Sequence, residues 1–331
     1  MGKKIKAATI SSIVVSVSIG AVLGWLVRKQ YEIKPVVPIR ENPTDYKFIS
    51  PILFLQSNED TAPQSQVLKK IITKYIDTAE QEKKVTDASV YFRKLNTDQW
   101  LGVNQDDLYA PASMLKVLSL IAFLHNAQNN PSLYLTQVRI APHMVNTDTN
   151  QDFYPPADPV TPGEEYSANE LLSHMIIYSD NNAANAINAL IGAPALEKVF
   201  TDLKIPSLSQ NTPTDFISPK MYSRAFRALY NGGYISNTVS NQSLELLSKT
   251  TFTKGLVAGV PSGTIVSHKF GERSIGTGAT SVRELHDCGI IYAPNNPYLL
   301  CVMTKGTAFP DLEKVIADIS GITWQSVKDN K

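Results

Sequence analysis

Between Met114 and Leu124 the chain is apolar at nearly every position, and the two exceptions, Lys116 and Ser119, do not make a polar face. A helix that is hydrophobic all round needs partners on every side, so this segment is predicted to be a central helix around which the rest packs. Pro111 marks its start. Ser113 then falls in the first turn, where unpaired N–H groups and the positive dipole end favour an oxyanion, and Lys116 follows one turn on along the same face. A lysine among apolar neighbours needs a partner or loses its proton, and a desolvated lysine is a suitable base for an adjacent serine hydroxyl. The bland alternative, a capping Ser113 and a snorkelling Lys116, is costly in such a helix.

With 331 residues, 43% hydrophobic and 18% charged, the chain can bury a substantial core in one large or two interleaved domains. A net charge of +1, with basic residues scattered rather than striped, argues against a nucleic-acid partner. The N-terminus departs from this soluble character. Lys3, Lys4 and Lys6 precede an uncharged run from Ala7 to Val27, closed by Arg28 and Lys29. That run is long enough to span a bilayer. It continues past a small-residue site at Ser18, Ile19 and Gly20, so residues 1–28 are predicted to be a retained single-pass membrane anchor rather than a cleaved signal peptide. The flanking charges are nearly balanced and leave orientation open. Residues 29–59, with Pro35, Pro38, Pro43 and Pro51 and no sustained period, read as an extended stalk, and residues 60–331 as the globular domain.

Within the domain, Val67, Ile71, Ile72, Tyr75 and Ile76 mark an amphipathic helix after Pro63, and a hairpin of Ala88 to Leu95 with Gln99 to Val103 follows. A second polar string, Ser179-Asp180-Asn181, interrupts two apolar helical runs, the first announced by a capping box from Ser167 to Glu170. One cap explains Asp180 or Asn181; it does not explain three polar residues in this order. A third string, His268-Lys269-Phe270-Gly271, ends a strand predicted from Thr264 to Phe270, with Lys269 and Ser267 on one face and His268 and Phe270 on the other. Gly271 permits close approach of another backbone or a ligand.

Ser113-x-x-Lys116, Ser179-Asp180-Asn181 and Lys269-Phe270-Gly271, in this order, resemble the signature of the serine β-lactamase and penicillin-binding protein superfamily, in particular its class A β-lactamase-like domain. The resemblance covers roughly residues 60 to 331. It implies an α+β fold: an antiparallel sheet flanked by N- and C-terminal helices beside an all-helical subdomain. It also implies that Ser113 is the acylated nucleophile and Lys116 its base. Ser179 would relay a proton to the leaving nitrogen, Asn181 would bind the substrate amide, and Lys269 would steer a substrate carboxylate and support Ser179. The backbone N–H groups of Ser113 and Glu272 would form the oxyanion hole.

Two departures from the family pattern stand out. Phe270 replaces a Thr or Ser whose hydroxyl helps hold the carboxylate, and the stretch from Leu203 to Ser218, which matches the loop carrying the hydrolytic Glu, contains no Glu. Asp215 is its only carboxylate, and it reads as a turn residue before Ser218 and Pro219. The expectation is therefore an outward-facing serine acyl-enzyme hydrolase acting on β-lactams or D-Ala-D-Ala-like peptidoglycan peptides, with slow deacylation. The alternative is a non-catalytic cell-wall peptide-binding module on the same fold. No cofactor or metal is expected, because His125, His143, His174, His268 and His286 are dispersed and no metal-ligand spacing occurs. Cys288 and Cys301 fall on two strands of one hairpin and are predicted to be free buried thiols, since their register is not fixed by sequence.

Overall fold

The computed structural model describes residues 36–40, 46–57, 64–97, 99–146, 153–206, 211–276 and 281–328. The chain divides into two units, residues 1–37 with 56–61 and residues 38–55 with 62–331, and the site lies wholly within the second. The candidate anchor, residues 1–28, falls outside the described residues. Among the described residues, no helix is long and apolar enough to cross a membrane.

Five antiparallel strands form the sheet: β1 (Asp87–Lys94), β2 (Trp100–Val103), β3 (Val266–Ile275), β4 (Val282–Ile291) and β5 (Tyr298–Gly306), in the spatial order β2-β1-β5-β4-β3. Alternation along the strands splits their side chains between two cores. Val90, Phe92, Leu300, Val302 and Leu285 face helices α1 (Gln64–Gln81) and α8 (Phe309–Lys328), which contribute Leu68, Ile72, Leu312, Val315 and Ile316. Tyr91, Cys288, Ile290, Leu299 and Met303 face the helical block on the other side.

That block is built around α2 (Leu115–Ala127), in which every residue from Lys116 to Leu124 is buried, as its all-round apolarity requires. Packed about it are α3 (Ala168–Ile177), α4 (Asn181–Ile191), α5 (Ala193–Asp202), α6 (Pro219–Tyr230) and α7 (Asn237–Leu247). The capping box at the start of α3 is complete: Ser167 Oγ accepts from the Glu170 N–H and the Glu170 carboxylate accepts from the Ser167 N–H.

Three features differ from the sequence expectation. Residues 46–51, assigned by composition to the stalk, pack on the domain: Phe48 and Ile49 are buried, the Phe48 N–H donates to Asn241 Oδ1, and the Ser50 N–H donates to the Tyr230 carbonyl. Strand β3 does not stop at Phe270 but continues to Ile275, because β4 pairs with it residue for residue as far as Val282. The cysteines are not free thiols. Cys288 on β4 lies directly opposite Cys301 on β5, their Cα atoms 4.0 Å apart, and the two form a disulfide. The register that decides the pairing is a tertiary property that residue spacing does not encode.

Candidate active site

The three strings converge where the turn before α2, the turn between α3 and α4, and strand β3 meet. Ala112–Met114 form a single 3-10 turn that leads into α2, entered through Ala112 at φ +47°. Such a conformation is strained for a residue with a Cβ, and it persists only where surroundings enforce it. Two contacts do so. Tyr222 on α6 donates its hydroxyl to the Met114 carbonyl at 2.7 Å. On the other side, Gly271 of β3 comes so close that a Cβ there would lie 2.7 Å from the Pro111 carbonyl oxygen and 2.9 Å from Met114 Cγ. The expectation of close approach at Gly271 is met, and the partner is the serine-bearing turn itself. Tyr222 was not anticipated, since a tyrosine on an amphipathic helix carries no local signal of its target.

Lys116 projects from the first turn of α2 toward Ser113 and the interhelical turn. Its Nζ lies 2.7 Å from Ser113 Oγ, 3.1 Å from Ser179 Oγ, and 2.6 Å from both the Ser179 carbonyl and Asn181 Oδ1. Burial pushes the Lys116 ammonium down to about 7, against the opposing pull of the Asp180 and Glu272 carboxylates. A large fraction of the side chain is therefore a neutral amine near pH 7, able to accept the Ser113 proton.

Asp180 holds the interhelical turn. Its carboxylate caps α4 by accepting from the Ala183 N–H at 2.6 Å and reaches back to the Val160 N–H at 3.1 Å. Ser179 is thereby fixed at φ +61°, a second strained position, with its hydroxyl between two lysines. Opposite Lys116, Lys269 Nζ stands 2.8 Å from Ser179 Oγ and 3.0 Å from the Phe270 carbonyl. Lys269 is fully buried, and burial together with the nearby Lys116 charge holds its ammonium well below the usual lysine range.

Phe270 and Glu272 point to the opposite face of β3 from Lys269 and Gly271. Phe270 stacks on Phe252 with ring centroids 4.2 Å apart, and Glu272 Oε1 accepts from the Tyr154 N–H at 2.8 Å. Asp215 stays out of this cluster. Lys305 holds its carboxylate at 2.6 Å, with Arg273 at 3.9 Å, in an ion pair at the end of the sheet.

A serine and a desolvated lysine in hydrogen-bond contact, with a second serine bridging to a second lysine, make a proton path suited to acyl transfer. The same stretch of chain matches a known family, as the beta-lactamase enzyme family covers residues 67–327. The chain belongs to that family. Beta-lactamase VEB-1 of Pseudomonas aeruginosa is 24% identical over 251 residues, covering 69% of this chain and 81% of the relative. Beta-lactamase 3 of Bacillus cereus is 27% identical over 259 residues, covering 72% and 76%. Among solved structures, PBP-A aligns with a TM-score of 0.66 at 22% identity over 79% of this chain and 97% of that one. The TLA-1 extended-spectrum beta-lactamase gives 0.66 at 21%, over 80% and 99%. As a member of the beta-lactamase enzyme family the chain is a serine hydrolase of the β-lactamase type, on the expected α+β fold.

Proposed function

We propose that the protein is an extracytoplasmic, membrane-anchored serine acyl-enzyme hydrolase that takes β-lactams or D-Ala-D-Ala-like peptides and deacylates slowly. The observation that carries this reading is Lys116 Nζ, 2.7 Å from Ser113 Oγ with its ammonium pushed down to about 7. Ser113 Oγ attacks the scissile carbonyl while Lys116 takes its proton. The oxyanion is held by the N–H groups of Ser113 and Glu272, Asn181 binds the substrate amide, and Ser179, supported by Lys269, returns a proton to the leaving nitrogen. Slow deacylation is supported by the Glu-free stretch from residue 203 to 218 and by the capture of Asp215 in its ion pair with Lys305. The anchor reading rests on the apolar run at residues 7–27, and the buried disulfide fits an oxidising compartment outside the cytoplasm.

The test is time-resolved intact-mass spectrometry of the protein with benzylpenicillin and with nitrocefin. A persistent adduct on Ser113, abolished in Ser113→Ala, is the expected outcome. Rapid turnover without an adduct would overturn slow deacylation. The complete absence of reaction would leave the peptide-binding module, the reading that Phe270 and the missing Glu favour.

A further inference from the structure

The chain from Phe153 to Val160 joins the two walls of the cleft. At one end the Val160 N–H donates to the Asp180 carboxylate at 3.1 Å, His174 Nδ1 donates to the Asp158 carbonyl at 2.8 Å, and Val160 is buried in the core of the helical block. At the other end the Tyr154 N–H donates to Glu272 Oε1 at 2.8 Å, on the face of β3 turned away from that block. There the Tyr154 ring packs edge-on against Phe252, Phe270 and Phe309, with centroids 5.1, 5.8 and 5.6 Å away, and its hydroxyl donates to Glu313 on α8. Phe153 stacks on Phe309 at 4.6 Å.

The two anchorages lie on opposite faces of the five-stranded sheet, and the six-residue step from Tyr154 to Val160 reaches about 20 Å at full extension. Neither a path behind five strands spaced about 4.8 Å apart nor one around the β3–β4 hairpin beyond Ile275 fits within that reach. The segment therefore passes the free edge of β3, the outermost strand on that side. It does so level with Gly271, because Phe270 and Glu272 are the β3 residues it holds. That stretch of β3 backs the serine-bearing turn and carries the N–H proposed for the oxyanion hole.

Its composition suits a span rather than another strand. Pro155, Pro156 and Pro159 stiffen it in an extended form and supply no N–H with which to pair along β3. Its middle, from Ala157 to Pro159, is exposed. A stiff span held only at its ends leaves as a unit from the weaker one. The weaker end is the aromatic tip, since Phe153 is exposed and Tyr154 half-buried whereas Val160 is buried.

We infer that residues 153–160 form a strap latched over the β3 side of the cleft by Tyr154, and that acyl donors with a large acyl substituent reach Ser113 only when this latch opens. The inference rests on the acyl-transfer reading of Ser113. Tyr154 is then a specificity-determining residue: it touches the sheet wall beside the reacting groups, and its hold there sets how fast large donors are admitted relative to small ones.

The experiment compares second-order acylation constants of 6-aminopenicillanic acid and nafcillin, which share one nucleus and differ in the bulk of the acyl substituent. They are read by intact mass on the wild-type protein, Tyr154→Phe and Tyr154→Ala. With the lifted state at about a tenth of the population, Tyr154→Ala should raise the nafcillin constant by about tenfold and leave that of 6-aminopenicillanic acid within about twofold. Tyr154→Phe keeps the ring contacts, loses the bond to Glu313, and should raise the nafcillin constant by less. A folded Tyr154→Ala protein with both constants unchanged, or raised alike, would overturn the inference. Amide exchange on the wild-type protein needs no variant to fold. Once nafcillin is attached to Ser113, the Tyr154 amide should exchange at least about tenfold faster while the Val160 amide keeps its protection, and a Tyr154 amide equally protected before and after would also sink the strap. Labelling of Ser113 by either penicillin in any of the three proteins upholds the acyl-transfer reading whatever the ratio. Absence of labelling from all three removes that reading, and the selecting role of the strap falls with it.

Discussion

Lys116 Nζ stands 2.7 Å from Ser113 Oγ, at the start of a helix whose next residues, Val117 and Leu118, are apolar and buried. The contact makes the base and the nucleophile one unit, and burial sets the pH at which that unit works. Since the Lys116 ammonium is pushed down to about 7, the amine is protonated and unable to accept below that pH. Acylation by benzylpenicillin should therefore rise with pH, reach half its maximum near 7, and level off above. Lys116→Ala should lower the plateau by about a thousandfold and abolish this limb of the profile, as expected for loss of a general base. A flat profile in the wild-type protein between pH 5 and 9 would remove Lys116 from that role.

Gly271 is the point where β3 touches the nucleophile's turn, and any added Cβ would be 2.7 Å from the Pro111 carbonyl oxygen. Backbone cannot retreat there without moving Ser113. Gly271→Ala should therefore destabilise the domain by about 1–3 kcal/mol as an overpacked contact. It should also slow acylation by roughly a hundredfold through displacement of the serine. Thermal unfolding and acylation kinetics on the same preparation separate the two effects. A variant of normal rate would show that the turn holds its position without β3.

Much of this site was legible because it is written in local order. The all-round apolarity from Met114 to Leu124 demanded a central helix, and Lys116 at that spacing from Ser113 demanded contact with it. Ser179 and Lys269 were visible only as members of ordered strings. Their meeting at 2.8 Å, across 90 residues of chain, is a product of packing. Tyr222, the Tyr154–Glu272 contact and the ring of Phe270 over Lys269 carried no such signal, because each depends on how a side chain of one element lands on another. The disulfide was missed for the same reason. A shift of one residue in the β4–β5 register would have put Cys288 and Cys301 on opposite faces of the sheet.

His286 gives the fold a pH limit of its own. It lies on β4 with Nε2 donating to the Ala110 carbonyl at 3.1 Å and Nδ1 accepting from the Thr304 N–H at 3.2 Å, an arrangement that requires the neutral ring. Burial pushes its pKa down to about 4 from an ordinary value of 6.5. Between those two values the unfolded chain binds the proton and the folded chain does not, so stability falls as pH drops from 6.5 to 4, with the full penalty present below 4. The contribution from this residue is roughly 3 kcal/mol over the interval. Denaturant unfolding at pH 4.5 and 7 should show the loss, and His286→Gln should reduce the difference between the two. An unchanged difference in the variant would assign the pH dependence to other groups.

The disulfide between Cys288 and Cys301 ties β4 to β5 in the middle of the sheet, with both residues fully buried. A closed loop of this size, with a sequence separation of 13, restricts the unfolded chain enough to contribute about 3 kcal/mol. Burial also shields the bond from reductants, which reach it only when the sheet opens. Iodoacetamide added to unreduced protein in denaturant should therefore add no mass, and two equivalents should be added only after reduction under the same conditions. The double variant Cys288→Ala with Cys301→Ala should melt roughly 5–10 °C lower while keeping the Ser113 reaction, because the hydrogen bonds that place Lys116 and Lys269 run to Ser113, Ser179, Asn181 and Phe270 and not to either sulfur. Alkylation of the unreduced protein would show free thiols in place of the bond, and would withdraw the support it gives to an oxidising compartment.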